Sequence, residues 1–444
     1  MKRTIIFIVS CLAVLAIHAQ AIRQAPTSSK AARSRESVIS VRGNKTPPSF
    51  TPKKRLQPVI HKTSSSNGKN VMPDTVYSHS TTKQHGWRNP LGILTKEQAS
   101  HRSFSYRFTH RNAKGHWGKM ELIDGYGHYN TGNMNTYILK LVAIDTDTLA
   151  NKEWAEKVES ACIFEFIADA TGEHVIQERA YDKDMNVIYI YSRTPIGKNK
   201  SGRQQYVGSY KDSYGLPAEM RKDTTGRYTY GTLVMLTEDK WGNDSVIEYI
   251  DAKGQKKVNS DGADMEIYVH DQLGRCIRQF YCDSVGKPII DNWGNCDIEF
   301  AWNKDHTEES AMYVDANWKP MRMPTLREDS YNKGVIKTLY FYDEYKRIIE
   351  RRFVDGDGNP DTNFYGAHKR ITSYDEKGNV KERRWYDKNG HLAPSDNSQD
   401  AVYKYTYTSD GQTQDAFFYD KNEQPCSTPG YLSRIHYEYD DNGK

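Results

Sequence analysis

Four histidines, His101, His110, His116 and His128, are the first residues whose type and spacing could do chemistry. His110 and His116 stand six apart around an expected turn, and with His101 or His128 they could ligate a metal. Zinc sites recur at short fixed ligand spacings, and no Cys, Asp or Glu completes one here, so scattered surface histidines are the simpler reading and no metal is expected. The run Asp355-Gly-Asp357-Gly-Asn359-Pro-Asp361 opens like a calcium loop. An EF-hand needs Gly at its sixth and Glu at its twelfth position, and Pro360 and Gly366 stand there instead. Carboxylates cluster at Glu308-Glu309 and Asp440-Asp441, yet nothing in the spacing pairs an acid with a base as glycoside hydrolysis requires. The signatures His-Glu-x-x-His, Gly-x-x-x-x-Gly-Lys-Ser/Thr and Gly-x-Ser-x-Gly do not occur. No catalytic residue and no cofactor is therefore expected. The remaining candidates are Trp241, Trp293 and Trp318, in or beside expected turns. An exposed indole there could stack on a sugar ring or anchor a protein partner, with packing between neighbouring units as the plainer alternative.

Positioning such residues falls to a repeated element. Taking Tyr374-Asp375-Glu-Lys-Gly378-Asn as reference, a strand-like run leads to Tyr386-Asp387-Lys-Asn-Gly390, and this pair of Asp-centred turns recurs. Second-turn aspartates fall at Asp251, Asp283, Asp315, Asp355, Asp387 and Asp420, separated by 32, 32, 40, 32 and 33 residues. First-turn copies include His270-Asp271, Tyr342-Asp343, Tyr407-Thr408, Tyr419-Asp420 in the companion turn, and Tyr439-Asp440, with Gly242, Gly274, Gly378, Gly411 and Gly443 in phase. The 40-residue step places an insertion around Pro320–Asp329. Upstream, Asp182 with Gly172, Asp212 with Gly202 and Asp124 with Gly115 are degenerate copies. In each turn an aspartate side chain can accept from backbone N–H two residues on, and glycine supplies the positive φ. Between turns lie two short strands per unit. The Tyr before each first turn is expected to pack its ring on a neighbouring unit and keep its hydroxyl in water. One unit holds too few apolar residues to stand alone, so neighbours must stack.

Composition agrees. Hydrophobic residues make up 37% of the chain, and the 31 Tyr against 13 Phe suit half-wet β surfaces; a mean hydropathy of -0.83 rules out a polytopic membrane protein. The net charge of +5 is unevenly spread: residues 23–88 carry 13 Lys/Arg against Glu36 and Asp74, so residues 89–444 are net acidic at -8. The basic segment has no aromatic platform, and no specific nucleic acid partner is expected. The start, Lys2-Arg3 followed by the apolar run Ile5–Ile17 and Ala19-Gln20-Ala21, reads as a secretory signal peptide cleaved after Ala19 or Ala21. Thirteen apolar-rich residues are short of the roughly 20 of a membrane span. Ile8-Val9-Ser10-Cys11 is a rival lipid-attachment reading, weakened by the apolar run continuing past Cys11. Of the five cysteines beyond it, Cys162, Cys276, Cys282, Cys296 and Cys426, the odd count argues against a full disulfide framework.

The recurring Tyr-Asp-x-x-Gly, seen at Tyr374-Asp375-Gly378, Tyr386-Asp387-Gly390, Tyr419-Asp420 and Tyr439-Asp440-Gly443, resembles the YD repeats of the Rhs and teneurin-like proteins. It is similar, more weakly, to MORN-variant repeats. The resemblance implies β-hairpins wound into a broad sheet or shell. This chain departs from that family in its period of about 32 rather than near 20 and in a second turn that favours Gly-x-Pro, as in Gly286-Lys-Pro288 and Gly358-Asn-Pro360. No Asp-Pro-x-Gly-Leu motif comes after the array.

The expected organisation is a signal peptide at 1–21, a disordered basic linker at 22–86, an N-terminal β-rich segment with degenerate repeats and one helix (148–160) at 87–230, and a regular repeat array at 231–444. The fold class is mainly β, a tandem antiparallel hairpin array. The expected function is an exported, non-catalytic scaffold in the periplasm, at the cell surface or outside the cell, binding an envelope or extracellular protein or glycan, with no transmembrane span in the mature chain. The alternative is a secreted hydrolase on glycans or peptides, with its site in 89–230 or in a further C-terminal region.

Overall fold

The Asp-centred turns set the strand lengths, and the turn at 375–379 shows how. Asp375 Oδ1 accepts from the N–H groups of Lys377 (2.9 Å) and Asn379 (2.8 Å), while its Oδ2 accepts from Asn379 Nδ2. The Asp375 N–H donates to the Asn379 carbonyl and the Gly378 N–H to the Asp375 carbonyl. The same closure is made by Asp239, Asp271 and Asp343, and on the other edge by Asp251, Asp283, Asp315, Asp355, Asp387 and Asp420. Asn303 and Thr408 close the turn where aspartate is missing. The second turn differs from the first in how the chain leaves it. After 355–359, Pro360 makes a single bridge back to Val354, and Pro288, Pro320 and Pro425 repeat this at Cys282, Val314 and Tyr419. Proline has no N–H to extend a ladder and so suits this exit, but Tyr129, Lys256 and Leu392 make the same single bridge to Ile123, Ile250 and Tyr386, so the departure belongs to the turn rather than to proline.

The protein is represented by a computed structural model, which describes residues 74–82, 88–130, 140–143, 161–213, 215, 218–221, 233–251, 253–258, 262–290, 297–323, 331–426 and 432–439. Its elements begin with β1 (Thr75–Thr81), β2 (Pro90–Leu94), α1 (Lys96–Ser100), β3 (Ser105–Arg111), β4 (Trp117–Ile123) and β5 (Lys140–Ala143). They continue with β6 (Ile163–Ala168), β7 (Val175–Tyr181), β8 (Val187–Lys198), β9 (Gln204–Asp212), β10 (Ala218–Arg221), β11 (Leu233–Glu238) and β12 (Asp244–Ile250). The array proper runs through β13 (Met265–His270), β14 (Cys276–Cys282), β15 (Asp297–Trp302), β16 (Glu308–Val314), β17 (Lys337–Tyr342), β18 (Ile348–Val354), β19 (Lys369–Tyr374), β20 (Val380–Tyr386), β21 (Val402–Tyr407), β22 (Thr413–Tyr419) and β23 (Arg434–His436). Twenty-one of these strands form one sheet. Pairing is antiparallel throughout: β2 on β1, β1 on β3, then β4, β6, β7, β8, β9, β11 and each later strand in chain order to β23. β5 and β10 pair separately. The tandem hairpin array read from spacing is thus the fold.

Within a hairpin the ladder is long and ends in a bulge beside the first turn, as between Ser373 and Tyr374. Between hairpins it is short: β18 and β19 share Glu350↔Ile371, Arg351↔Arg370 and Arg352↔Lys369. Side chains add to these short ladders. Tyr342, Tyr374, Tyr407 and Tyr439 each donate their hydroxyl to the carbonyl of the first residue of the second strand in the preceding hairpin, Glu308, Ile348, Val380 and Thr413, at 2.6–2.9 Å. Trp302 makes the equivalent bond from its indole N–H to the Cys276 carbonyl. This corrects the expectation that these hydroxyls remain in water. Asn363 Nδ2 likewise donates to the carbonyls of Tyr331 and Ser395, one period before and after it.

One further expectation changes. Thr75–Thr81, placed by composition in the basic linker, is β1, paired on both sides; its alternation of buried and half-exposed residues outweighs the polar composition around it. β9 pairs directly with β11, so the ladder runs on from the N-terminal segment into the array. The described helix is α1, five residues capped by Thr95 and Gln98; the helix expected at 148–160 lies outside the described residues, as do the signal segment and most of the linker. Cys162, Cys276, Cys282 and Cys426 are unbridged buried thiols. Two apolar clusters underlie the sheet. One runs from Val76 through Phe108, Phe164 and Tyr191 to Tyr249. The other holds Val335, Phe353, Ala367, Trp385 and Ala393, with Tyr313, Tyr331 and Tyr403 against it.

The N-terminal segment does more than extend the sheet. Gln98 Nε2 donates to the Glu344 carbonyl (2.6 Å), and Arg102 Nη1 donates to those of Tyr345 and Lys346. Arg347 Nη1 returns bonds to the carbonyls of His101 and Asp375, and His101 stacks on Tyr345 at 4.4 Å between ring centroids. The Tyr126 ring lies under the Lys377 ammonium at 4.9 Å. Residues 98–126 therefore lie across a row of first turns about 250 positions later in the chain.

Candidate functional site

Strand alternation sorts the side chains of β17–β22 onto two faces. The register Tyr340↔Arg351↔Arg370↔Trp385 and Thr372↔Arg383↔Tyr403 puts three arginines on the face that carries the buried rings of Phe353 and Trp385. Arg352 and Arg384 belong to the other face, with Glu350 and Glu382 beside them. The two faces treat their cations differently. On the outer one, Arg352 pairs with Glu350, Arg384 with Glu382 and Glu423, Lys404 with Glu382, and Arg434 with Asp415. On the ring-bearing face, Arg351 donates to the Tyr331 hydroxyl at 2.8 Å. Among the described residues, no carboxylate lies within ion-pair distance of Arg351, Arg370 or Arg383. Their Nε atoms are buried without a hydrogen-bond partner.

Aromatic rings surround the three guanidinium groups. Arg351 lies 5.5 Å from the Tyr340 ring and 5.9 Å from that of Tyr331, Arg370 lies 5.5 Å from Trp385, and Arg383 lies 5.9 Å from Tyr405. Burial, with Arg351 and Arg383 as near neighbours, brings the Arg370 guanidinium down to about 9. Arg351 holds the Tyr331 phenol below its ordinary range, against the effect of burial. Beside this patch opens a cleft of about 530 Å³, lined by Tyr126, Tyr374, Lys381, Tyr405 and Tyr407 together with turn residues including Asp375 and Glu376. Both Asp375 carboxylate oxygens are committed to their turn, so the cleft does not present two free carboxylates for acid–base work. What the arrangement can do is hold a ligand between tyrosine rings next to unneutralised positive charge.

Of the tryptophans singled out from sequence, Trp241 and Trp318 do not come together. Trp241 sits in the first turn at 239–243, half-buried, with the Lys240 ammonium 4.2 Å from its ring. Trp318 sits on the opposite edge, in the second turn at 315–319, at φ +64°. Its ring stacks under the Arg278 guanidinium at 3.7 Å and meets Phe280 edge-on. Trp293 and Asp440 lie outside the described residues. The turn residues Asp251, Asp283, Asp315, Asp375, Gly378, Asp387 and Asp420 act in turn closure, and Tyr374 and Tyr439 in the bonds between hairpins. Tyr386 and Tyr419 end their strands under the ammonium groups of Lys369 and Lys404. The Asp355–Asp361 run is one of these turns: Asp355 Oδ1 takes the Asp357 and Asn359 N–H groups and Oδ2 takes Asn359 Nδ2.

Arginine was the missed signal. Glu350-Arg-Arg-Phe353 and Glu382-Arg-Arg-Trp385 are one period apart, so Arg351 and Arg383 hold the same phase. Other units place Ile247, Gln279, Ala311 and Ala416 there. The repeat geometry therefore does not demand a cation at this position.

No family model matches the chain, and no curated protein does. Among solved structures it is similar to the TcdB2-TccC3-TEV crystal structure, at 11% identity and TM-score 0.24 over 82% of this chain and 19% of that one. It is also similar to the Photorhabdus luminescens Tc holotoxin pore, at 11% identity and TM-score 0.25 over 77% and 15% of the two chains. A porin-like protein from Bacteroides uniformis matches at 12% identity and TM-score 0.23 over 61% and 91%. This chain thus spans less than a fifth of the Tc chains' length. Scores this low carry no argument about function. The repeat architecture rests on the turns and ladders themselves. No helix among the described residues is long and apolar enough to cross a membrane.

Proposed function

We propose that this protein is an exported, non-catalytic binding scaffold whose repeat sheet receives an envelope or extracellular glycan on the ring-bearing face of β17–β22. The observation that carries the reading is the cleft of about 530 Å³ walled by Tyr126, Tyr374, Tyr405 and Tyr407. Tyrosine rings stack on the apolar faces of sugars; the Tyr374 and Tyr407 hydroxyls are engaged with the Ile348 and Val380 carbonyls, so these two supply ring surface, and the Tyr405 hydroxyl is the one offered to a sugar hydroxyl. Export is supported by Lys2-Arg3, the Ile5–Ile17 run and Ala19-Gln20-Ala21. The test is a binding panel of envelope polysaccharides, host glycans and envelope proteins against the wild-type chain and Tyr405→Ala. Glycan binding weakened at least about tenfold by the substitution, some 1.4 kcal/mol, supports the reading. Turnover of any panel member, or binding only to a protein and insensitive to Tyr405, overturns it.

A further inference from the structure

The three arginines of the ring-bearing face pose a physical problem. Arg351 and Arg370 are register partners on adjacent strands, and like charges directly opposite one another destabilise a sheet. Arg370 is only 8% exposed, so water screens this repulsion little. Cation–π contacts hold the guanidinium groups in place, but a neutral ring does not cancel their charge. Every outer-face arginine named on the same strands has a carboxylate partner, so the sequence readily supplies acids where pairing is wanted. At the Arg351 and Arg383 positions other units carry Ile247, Gln279, Ala311 and Ala416, and at the Arg370 position Val234, Glu266, Ile298, Thr338 and Tyr403, so the repeat does not itself require arginine there. Planar guanidinium donors converging without a counter-charge match the oxygens of a sulfate, phosphate or carboxylate group.

We propose that Arg351, Arg370 and Arg383 form an oxyanion site that takes a sulfate, phosphate or carboxylate group carried on a sugar. Only the sugar carrier rests on the glycan reading of the adjoining cleft; the anion site stands on the arginine geometry. The group enters from the cleft, where Tyr374 and Tyr405 border both features and Lys381 adds a further cation.

The experiment uses the full chain, with thermal unfolding and titration calorimetry as readouts and inorganic sulfate, dextran sulfate and uncharged dextran as probes. Sulfate also stabilises proteins nonspecifically, so Arg352→Met and Arg384→Met, on the outer face, serve as controls. In wild type, dextran sulfate is expected to bind at least about tenfold more tightly than inorganic sulfate, and both should raise the Tm. Arg370→Met and Arg383→Met should lose that gain while the controls keep it, and Arg370→Met without ligand should unfold no lower than wild type, since it removes repulsion. A ligand-free Arg370→Met that unfolds several degrees lower, or a sulfate gain equal in all variants, overturns the oxyanion site. Saturable sulfate binding lost in Arg370→Met, with dextran sulfate no tighter, keeps the site but removes the sugar carrier. Arginine-independent binding of uncharged dextran that requires Tyr405 does the reverse, keeping the glycan reading and overturning the oxyanion site.

Discussion

Individual side chains here are mostly engaged in closing turns and joining hairpins, and their loss should be measurable one at a time. Tyr374→Phe and Tyr407→Phe each leave a strand-end carbonyl, Ile348 or Val380, without its donor. Each is expected to cost about 1 kcal/mol, read as a lower midpoint in urea at unchanged slope. Asp355 spends both oxygens on its own turn, so adding a calcium chelator should leave the Tm where it was. Asp297, at the start of β15, is buried, and burial pushes its carboxyl up to about 7. The unfolded aspartate titrates at about 3.9, so between these values the folded state holds the extra proton and stability falls as pH rises, levelling off above 7. Asp297→Asn should flatten that slope and raise stability at pH 8 by roughly 1–3 kcal/mol, as urea titrations at pH 4.5, 6 and 8 would show.

Elements are matched to one another through the turns, and two glycines separate the turn's own demands from those of docking. Gly378 and Gly390 both sit at φ +86°. Around Gly390 a Cβ would meet open space, whereas at Gly378 it would overlap Arg102 Cα and the His101 carbonyl. Gly390→Ala should therefore cost about 1 kcal/mol, the penalty of a left-handed alanine. Gly378→Ala should cost about 3 kcal/mol or more and raise hydrogen exchange at residues 95–104, while Gly390→Ala leaves exchange there unchanged. Equal costs for the two would mean that the N-terminal segment does not press on the 375–379 turn.

At the scale of the whole molecule, a hairpin array should lose stability stepwise as units are removed, but the docked N-terminal segment makes the steps unequal. Ending the chain at Ser395 removes β21–β23 and leaves the turns at 343–347 and 375–379 in place. Ending it at Met321 also removes the carbonyls of Glu344, Tyr345 and Lys346 that Gln98 and Arg102 hold. Exchange protection at 95–104 is expected to survive the first cut and collapse at the second, while β6–β9 stay protected in both. A uniform decline across the series would show that the long-range docking contributes little.

The range of each interaction decides how far it can be read from sequence. The Asp and Gly of each turn act over four residues, so their spacing alone established the hairpins, the period and the β class. Even the substitutes conform, since Lys346, His306 and Glu423 take the left-handed position at φ 58–60° where glycine is absent. Arg351 and Arg383 were visible as a phase within the period, but their lack of carboxylate partners was not, because that depends on which face each strand turns and on what lies across the ladder. Tyr374 was legible as a repeat residue, yet its bond to Ile348 joins different hairpins and had no local sign. The docking of residues 98–126 across turns some 250 positions away was the least legible. It rests largely on side chains meeting backbone carbonyls, which every residue possesses, and the Tyr345, Arg347 and Lys377 side chains that join in carry no local sign of so distant a partner, so only the tertiary structure decides it.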